Sequence, residues 1–179
     1  PNTNKRPGFV PGVFFWALSR QYPFTKKIAE KNMSGLKNKI VVLTGASRGI
    51  GAAAAKEMAS DGPHFILCAR KAESCADTKA TVEALGATAE CHGFDVSDAD
   101  AAKAFVDAVI AEHGRINVLI NNAGMNVMGS VAKVTPQAFQ GVLMGNVMGP
   151  YNLISAAMPS MLEHDAGTII NITSARAFM

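Results

Sequence analysis

The apolar run Ile40-Val41-Val42-Leu43 leads directly into Thr44-Gly45-Ala46-Ser47-Arg48-Gly49-Ile50-Gly51, which opens into the alanine-rich stretch Ala52 to Ala59. This succession calls for a buried strand, a glycine turn and a helix. Gly45 permits the tight turn, Gly49 lets backbone approach a pyrophosphate, and Gly51 lets helix and strand pack closely; the helix N-terminus offers unpaired N–H groups to the anion. A glycine triplet alone says little. The strand before it and the helix after it make this one a phosphate-binding turn.

Downstream, strand-like and helix-like stretches alternate: an apolar run His64 to Ala69, a polar helical stretch Ser74 to Leu85, a run Thr88 to Phe94, a helix Asp98 to Glu112 and a run Asn117 to Asn121. Asp98 suits the N-cap of its helix, and Gly114 suits the stop. Continuous apolar strands such as Val118-Leu119-Ile120 and Thr168-Ile169-Ile170 are expected where helices cover both faces of a parallel sheet. From Gln137 to His164, apolar residues recur at helical spacing, which predicts one long helix that Pro150 and Pro159 bend or delimit. The fold class is α/β, a doubly wound parallel sheet. At 179 residues and 49% hydrophobic, the chain has material for one core.

Charge and composition exclude several functions. Residues 1–32 hold six basic side chains (Lys5, Arg6, Arg20, Lys26, Lys27, Lys31) against Glu30, so the remainder of this +3 chain is slightly acidic and carries no basic stripe for nucleic acid. Two parts follow, a basic, aromatic extension 1–32 and a domain 33–179. The apolar stretch Gly8 to Leu18, with Phe9, Phe14, Phe15 and Trp16, is interrupted by Pro11 and too short to span a bilayer. It suits a processed targeting sequence, a peripheral membrane anchor, an arm on another protein or a tail. Cys68, Cys75 and Cys91 form no disulfide framework, which points to a reducing compartment, cytoplasmic or organellar, and away from secretion. His64, His92, His113 and His164 stand far apart in no ligand spacing, so no metal site is expected.

Five segments then stand in order: Thr44 to Gly51, Asp95-Val96, Asn121-Asn122-Ala123-Gly124, Asn146-Val147-Met148-Gly149 and Ile170-Asn171-Ile172-Thr173-Ser174. In order and approximate spacing this set resembles the short-chain dehydrogenase/reductase family, from about Leu36 to the last residue. The resemblance implies a Rossmann-type sheet and hydride transfer between a nicotinamide cofactor and a carbonyl or alcohol. It assigns Thr44, Gly45, Ser47, Arg48, Gly49, Ile50 and Gly51 to the cofactor, Asp95 to the adenine amino group with Val96 beside it, and Asn122, Ala123 and Gly124 to the strand end that closes over it. Asn121 and Asn122 also read as polar residues that tie one strand to the next, and the two roles are compatible. Asn146 and Ser174 match the asparagine and serine of the family's catalytic tetrad.

The choice of cofactor follows from charge. An NAD-binding site of this fold places an acid at the end of the second strand, whereas an NADP-binding site lacks it and supplies cations. Here Cys68-Ala69-Arg70 stands at that place, with Arg48 in the glycine turn, so two guanidinium groups are available for a 2′-phosphate. NADP(H) is the expected cofactor.

The family's tyrosine and its lysine lie beyond the serine, past Met179. Tyr22-Pro23-Phe24-Thr25-Lys26 spells Y-x-x-x-K, but Pro23 and its place before the first strand make that a coincidence. Two readings stay open: an NADP(H)-dependent oxidoreductase seen without its C-terminal part and inactive as it stands, or a non-catalytic nucleotide-binding or structural subunit of a larger, membrane-associated organellar assembly. In both, the sheet is incomplete at its C-terminal side, and the strand Thr168 to Ile172 forms an apolar open edge that another polypeptide or the missing segment covers.

Overall fold

The computed structural model describes residues 35–130 and 132–173; the extension 1–32 and Ser174 lie outside the described residues. Strand β1 (Ile40–Thr44) runs into helix α1 (Gly49–Ala59), then β2 (His64–Ala69), a 3-10 turn (Ala72–Cys75), α2 (Ala76–Ala84), β3 (Thr88–Gly93), α3 (Ala99–His113) and β4 (Val118–Asn121). After β4 come α4 (Pro136–Leu143), a π-helical turn (Met144–Met148), α5 (Gly149–Glu163) and β5 (Thr168–Asn171). All strand pairs are parallel, in the order β3-β2-β1-β4-β5. The chain therefore starts mid-sheet, winds outward through β2 and β3, then crosses back to β4. The order reverses beside β1, and the carboxyl ends of the strands splay there into a crevice.

The two-residue period of the strands divides the core. Val41, Leu43, Phe65 and Leu67 face α1 and α2, burying Ala55, Ala59 and Val82 with them. Val42, Ile66 and Leu119 face α3 and α5, against Phe105, Val106, Leu153 and Ala157. The α1 face is alanine-rich because the helix must lie close to the strands. Asp98 caps α3 as expected, its carboxylate accepting from the amides of Asp100 and Ala101, and Gly114 stops the helix at φ 79°.

Three expectations need correction. The stretch Gln137 to His164 is helical as far as Glu163 but not uniformly α: the π turn lies within it between α4 and α5, Pro150 follows directly on that turn, and α5 continues through Pro159. Strand β5 is not buried on both faces: Ile170 is 41% exposed, because among the described residues β5 is a sheet edge. Three of the four histidines, far apart along the chain, come together in space. His64 and His92 lie on β2 and β3, His113 ends α3, and all three reach Glu90 at 2.9, 3.3 and 3.4 Å. Desolvation alone would raise the Glu90 carboxyl, but hydrogen bonds from His92 and His64 and the charges of His113 and His64 hold it below its ordinary range.

Among the described residues no helix is long and apolar enough to cross a membrane.

Candidate active site

At the reversal point the glycine turn and the end of β4 are locked together through Thr44. Its side chain is 1% exposed, and its hydroxyl oxygen accepts from the amides of Asn122 and Ala123 at 3.0 and 2.9 Å. The Asn122 side-chain amide donates back to the carbonyls of Thr44 and Gly45 at 2.9 and 3.1 Å. Next to it, Asn121 donates to Asn171 Oδ1 on β5 at 2.9 Å. The tying role read for both asparagines is thus present in the structure.

This lock explains two of the glycines. Gly45 has φ 66°, and a Cβ there would lie 2.9 Å from both Ala123 Cα and Asn122 Nδ2. A Cβ on Gly51 would collide with the Gly45 carbonyl oxygen and lie 2.7 Å from Asn122 Nδ2. Gly51 therefore packs against the turn itself. Gly49 differs: at φ 59° it faces open space, so backbone conformation and access, rather than packing, select glycine. Helix α1 starts here with no acid in its first turn and no side chain capping it from Arg48. Its first amides and the positive end of its dipole are left to an external anion.

A cleft of about 700 Å³ opens above the turn. Thr44, Gly45, Ser47, Arg48, Gly49 and Ile50 line it from the turn; Arg70, Asp95 and Val96 from the ends of β2 and β3; Asn122, Ala123 and Gly124 from the end of β4. Gly51 is behind the turn and not at the cleft surface. The loop after β3 is ordered by Asp95, whose Oδ1 accepts from the backbone and hydroxyl of Ser97 at 2.9 and 2.7 Å. Those two bonds, first the hydroxyl and then the amide, hold the Asp95 carboxyl below its usual range against slight desolvation, with Arg70 adding a smaller electrostatic pull. One carboxylate oxygen remains for a ligand donor.

Asn146 lies in the π turn, not at the cleft surface. Its Oδ1 accepts from the Met125 amide and its Nδ2 donates to the Met125 carbonyl, both at 2.8 Å. It holds the segment after Gly124 in place, like a backbone partner in a sheet. The π turn shifts the helical register by its extra residue, and Asn146, within it, faces Met125 on the loop that follows β4. Sequence reasoning did not find the π turn, nor Phe94, Ser97, Met125, Met144 and Gly145 on the cleft wall. Ser97 had a readable signal, an aspartate two residues before it, as in an Asx turn; the methionines had none.

The family model of the short chain dehydrogenases matches residues 39–179. The chain belongs to this family. An oxidoreductase of Methylorubrum extorquens is 39% identical over 145 residues, 79% of this chain and 57% of that protein. A short-chain oxidoreductase from a metagenome, solved in complex with NADP, is 40% identical with a TM-score of 0.75, covering 78% of this chain and 62% of the other. An NAD+-bound xylitol dehydrogenase is 29% identical with a TM-score of 0.76, over 80% of this chain and 56% of its own. The chain spans about half the length of the curated relatives it matches, from 42% to 63%. This member of the family thus has the expected Rossmann-type fold, and the family uses nicotinamide cofactors.

Proposed function

We propose that the chain forms the NADP(H)-binding part of an oxidoreductase that moves a hydride between a nicotinamide and a carbonyl or alcohol carbon. The observation that carries this reading is that Arg48 and Arg70 both line the cleft, with Ala69, and no acid, at the end of β2. The residues fit such a cofactor. Gly49 lines the cleft with backbone alone and open space before it, and the first turn of α1 holds no competing acid. Of the solved relatives, one holds NADP and another NAD+, so the family likeness leaves the dinucleotide open. Two guanidinium groups favour the 2′-phosphate, even though Arg70 shares its charge with Asp95.

In this reading the amides at the start of α1 receive the pyrophosphate, the free Asp95 oxygen the adenine amino group, and Ala123 and Gly124 the face of the nicotinamide half. When bound, the nicotinamide supplies or accepts the hydride. Asn146 acts as a positioning residue through Met125, and Ser174 is assigned to the substrate oxygen by resemblance. Among the described residues no tyrosine or lysine lines the cleft. In the family resemblance the proton for a developing alkoxide, worth about 10²–10⁴-fold in rate, is the task of a tyrosine that follows the serine. The alternative of a non-catalytic subunit has no support among the relatives named above.

Calorimetric titration of the full chain with NADPH and NADH tests the assignment. NADPH should bind more tightly, and Arg70→Ala should weaken NADPH by about tenfold to 150-fold, the equivalent of one charge-assisted contact of about 1.5–3 kcal/mol, while leaving NADH nearly unchanged. Equal affinities in the unaltered chain, or NADH preferred, would overturn it.

A further inference from the structure

The chemistry left over by the cofactor cleft is concentrated at the opposite end of the sheet. His64 begins β2, and its register partner on β3 is Thr88. Side chains two apart on a strand share a face, so His64, Thr88, Glu90 and His92 all project toward α3. His113 closes that face from the last turn of α3. His64 Nε2 and His113 Nε2 approach the same oxygen, Glu90 Oε1, at 2.9 and 3.4 Å. One ligand atom from each of these three residues lies within 4.8 Å of the others.

Two nitrogens and a carboxylate aimed at one point need a positive charge between them. A single proton can serve the His64–Glu90 contact. It leaves His113 unexplained, for His113 Nε2 is buried and has no hydrogen-bond partner despite its closeness to Glu90. An orphan nitrogen at such a position costs free energy that nothing nearby offsets. A metal ion in the middle would satisfy both nitrogens and the carboxylate together. On a tetrahedral zinc with bonds near 2.0–2.1 Å, neighbouring ligand atoms sit about 3.3 Å apart. The separations to Glu90, 2.9 and 3.4 Å, bracket that value, and the two imidazole nitrogens lie within 4.8 Å of each other.

The surroundings have the form that orients metal ligands. His64 Nδ1 lies 2.6 Å from the Thr88 hydroxyl, which can accept its N–H and so leave Nε2 with its lone pair directed at the cluster. His92 Nε2 reaches the other carboxylate oxygen, Glu90 Oε2, at 3.3 Å and fixes the plane of the carboxylate. The C-terminus of α3 adds the negative end of its dipole on the side of His113. A set of two imidazoles and one carboxylate suits a borderline transition ion such as Zn²⁺ rather than Mg²⁺ or Ca²⁺.

We propose that His64, Glu90 and His113 form a Zn²⁺-class binding site, oriented by Thr88 and His92, that clamps the edge strand β3 to β2 and to the end of α3. None of these residues lines the cofactor cleft, and His64 is about 13 Å along β2 from Cys68 at its wall, at about 3.3 Å per residue. The ion would therefore be structural, and its binding independent of the nucleotide.

The test is equilibrium dialysis and calorimetry of untagged full chain, stripped with chelator and titrated with Zn²⁺, with Co²⁺ as a spectroscopic probe. About one equivalent should bind at micromolar affinity or tighter and raise the melting temperature, with Co²⁺ giving the visible bands of a low-coordinate nitrogen and oxygen site. Glu90→Gln and His113→Ala should each weaken binding by about 100-fold or more, and Thr88→Val by about 10-fold to 100-fold, as for an outer partner. His164→Ala and Cys91→Ser, outside the site, should bind as the unaltered chain does. Circular dichroism of each metal-free protein separates loss of the site from loss of fold, and Thr88→Val is the variant least able to disturb folding. Absence of saturable binding by the folded, unaltered chain would overturn the proposal. So would undiminished binding by folded Glu90→Gln and His113→Ala, or loss of binding in Cys91→Ser.

Discussion

Thr44→Val is the sharpest probe of the lock between the glycine turn and β4. Valine matches threonine in shape, so the packing of β1 survives and only the hydroxyl is lost. That hydroxyl uses its full capacity: it accepts from the Asn122 and Ala123 amides and donates to the Ile120 carbonyl at 3.4 Å. Removing it strands two half-buried N–H groups. A fully buried orphan costs about 1–3 kcal/mol, and partial access to water brings the pair to about 2–4 kcal/mol in all. At about 3 °C per kcal/mol for a domain of this size, the melting temperature should fall by about 6–12 °C. Thr44→Ser keeps the hydroxyl and loses one buried methyl, a cost of about 1 kcal/mol. Differential scanning calorimetry of the two variants reads the difference directly. Nucleotide titration adds a second readout, because Asn122 and Ala123 stand on the cleft wall: Val should lose roughly tenfold in affinity, about 1.4 kcal/mol, and Ser little. If Ser melts as low as Val, the methyl and not the hydrogen bonds holds the turn, and the reasoning fails.

The glycines should separate by mechanism. Gly49→Ala meets no neighbour and pays only for its left-handed backbone, about 1–2 kcal/mol, whereas Gly51→Ala drives a methyl into the Gly45 carbonyl and should abolish nucleotide binding as well as lower stability; equal melting temperatures would contradict this. At the β3 end, Ser97→Ala removes the hydroxyl bond that most lowers the Asp95 pKa, so the carboxyl should titrate closer to its ordinary range in an NMR titration. Because the folded-state pKa is depressed, the contribution of Asp95 to stability is present above the ordinary aspartate range and lost as pH falls through the lowered value. The variant should lose that contribution at a higher pH, and an unmoved titration would refute the cause assigned.

Local sequence was sufficient wherever the physics is local. Ile40 to Ala59 encodes strand, turn and helix because positive φ at Gly45 and Gly49 is a property of glycine itself, and the Asp98 cap and Gly114 stop are readable for the same reason. The alternation of apolar runs and helical stretches carried the parallel sheet, since a strand covered on both faces must be apolar throughout. The five ordered segments carried the family. Tertiary structure alone decided what depends on partners distant in the chain. Thr44 bonds amides 78 and 79 residues away, so no window of sequence shows that its hydroxyl is the joint between turn and β4. Asn146 bonds Met125, 21 residues away, from within a π turn, and neither the turn nor the contact is visible in the local apolar spacing. The apolar run Thr168-Ile169-Ile170 suits a strand covered on both faces, yet Ile170 is 41% exposed on β5, the outermost strand among the described residues. The histidines make the same point most strongly. His64 and Glu90 are 26 residues apart and His113 is farther still, but the register of β2 with β3 and the length of α3 bring their side chains to one place. Spacing along a chain shows a side-chain cluster only where a single helix or turn supplies it; here three elements do, and only their packing brings the residues together.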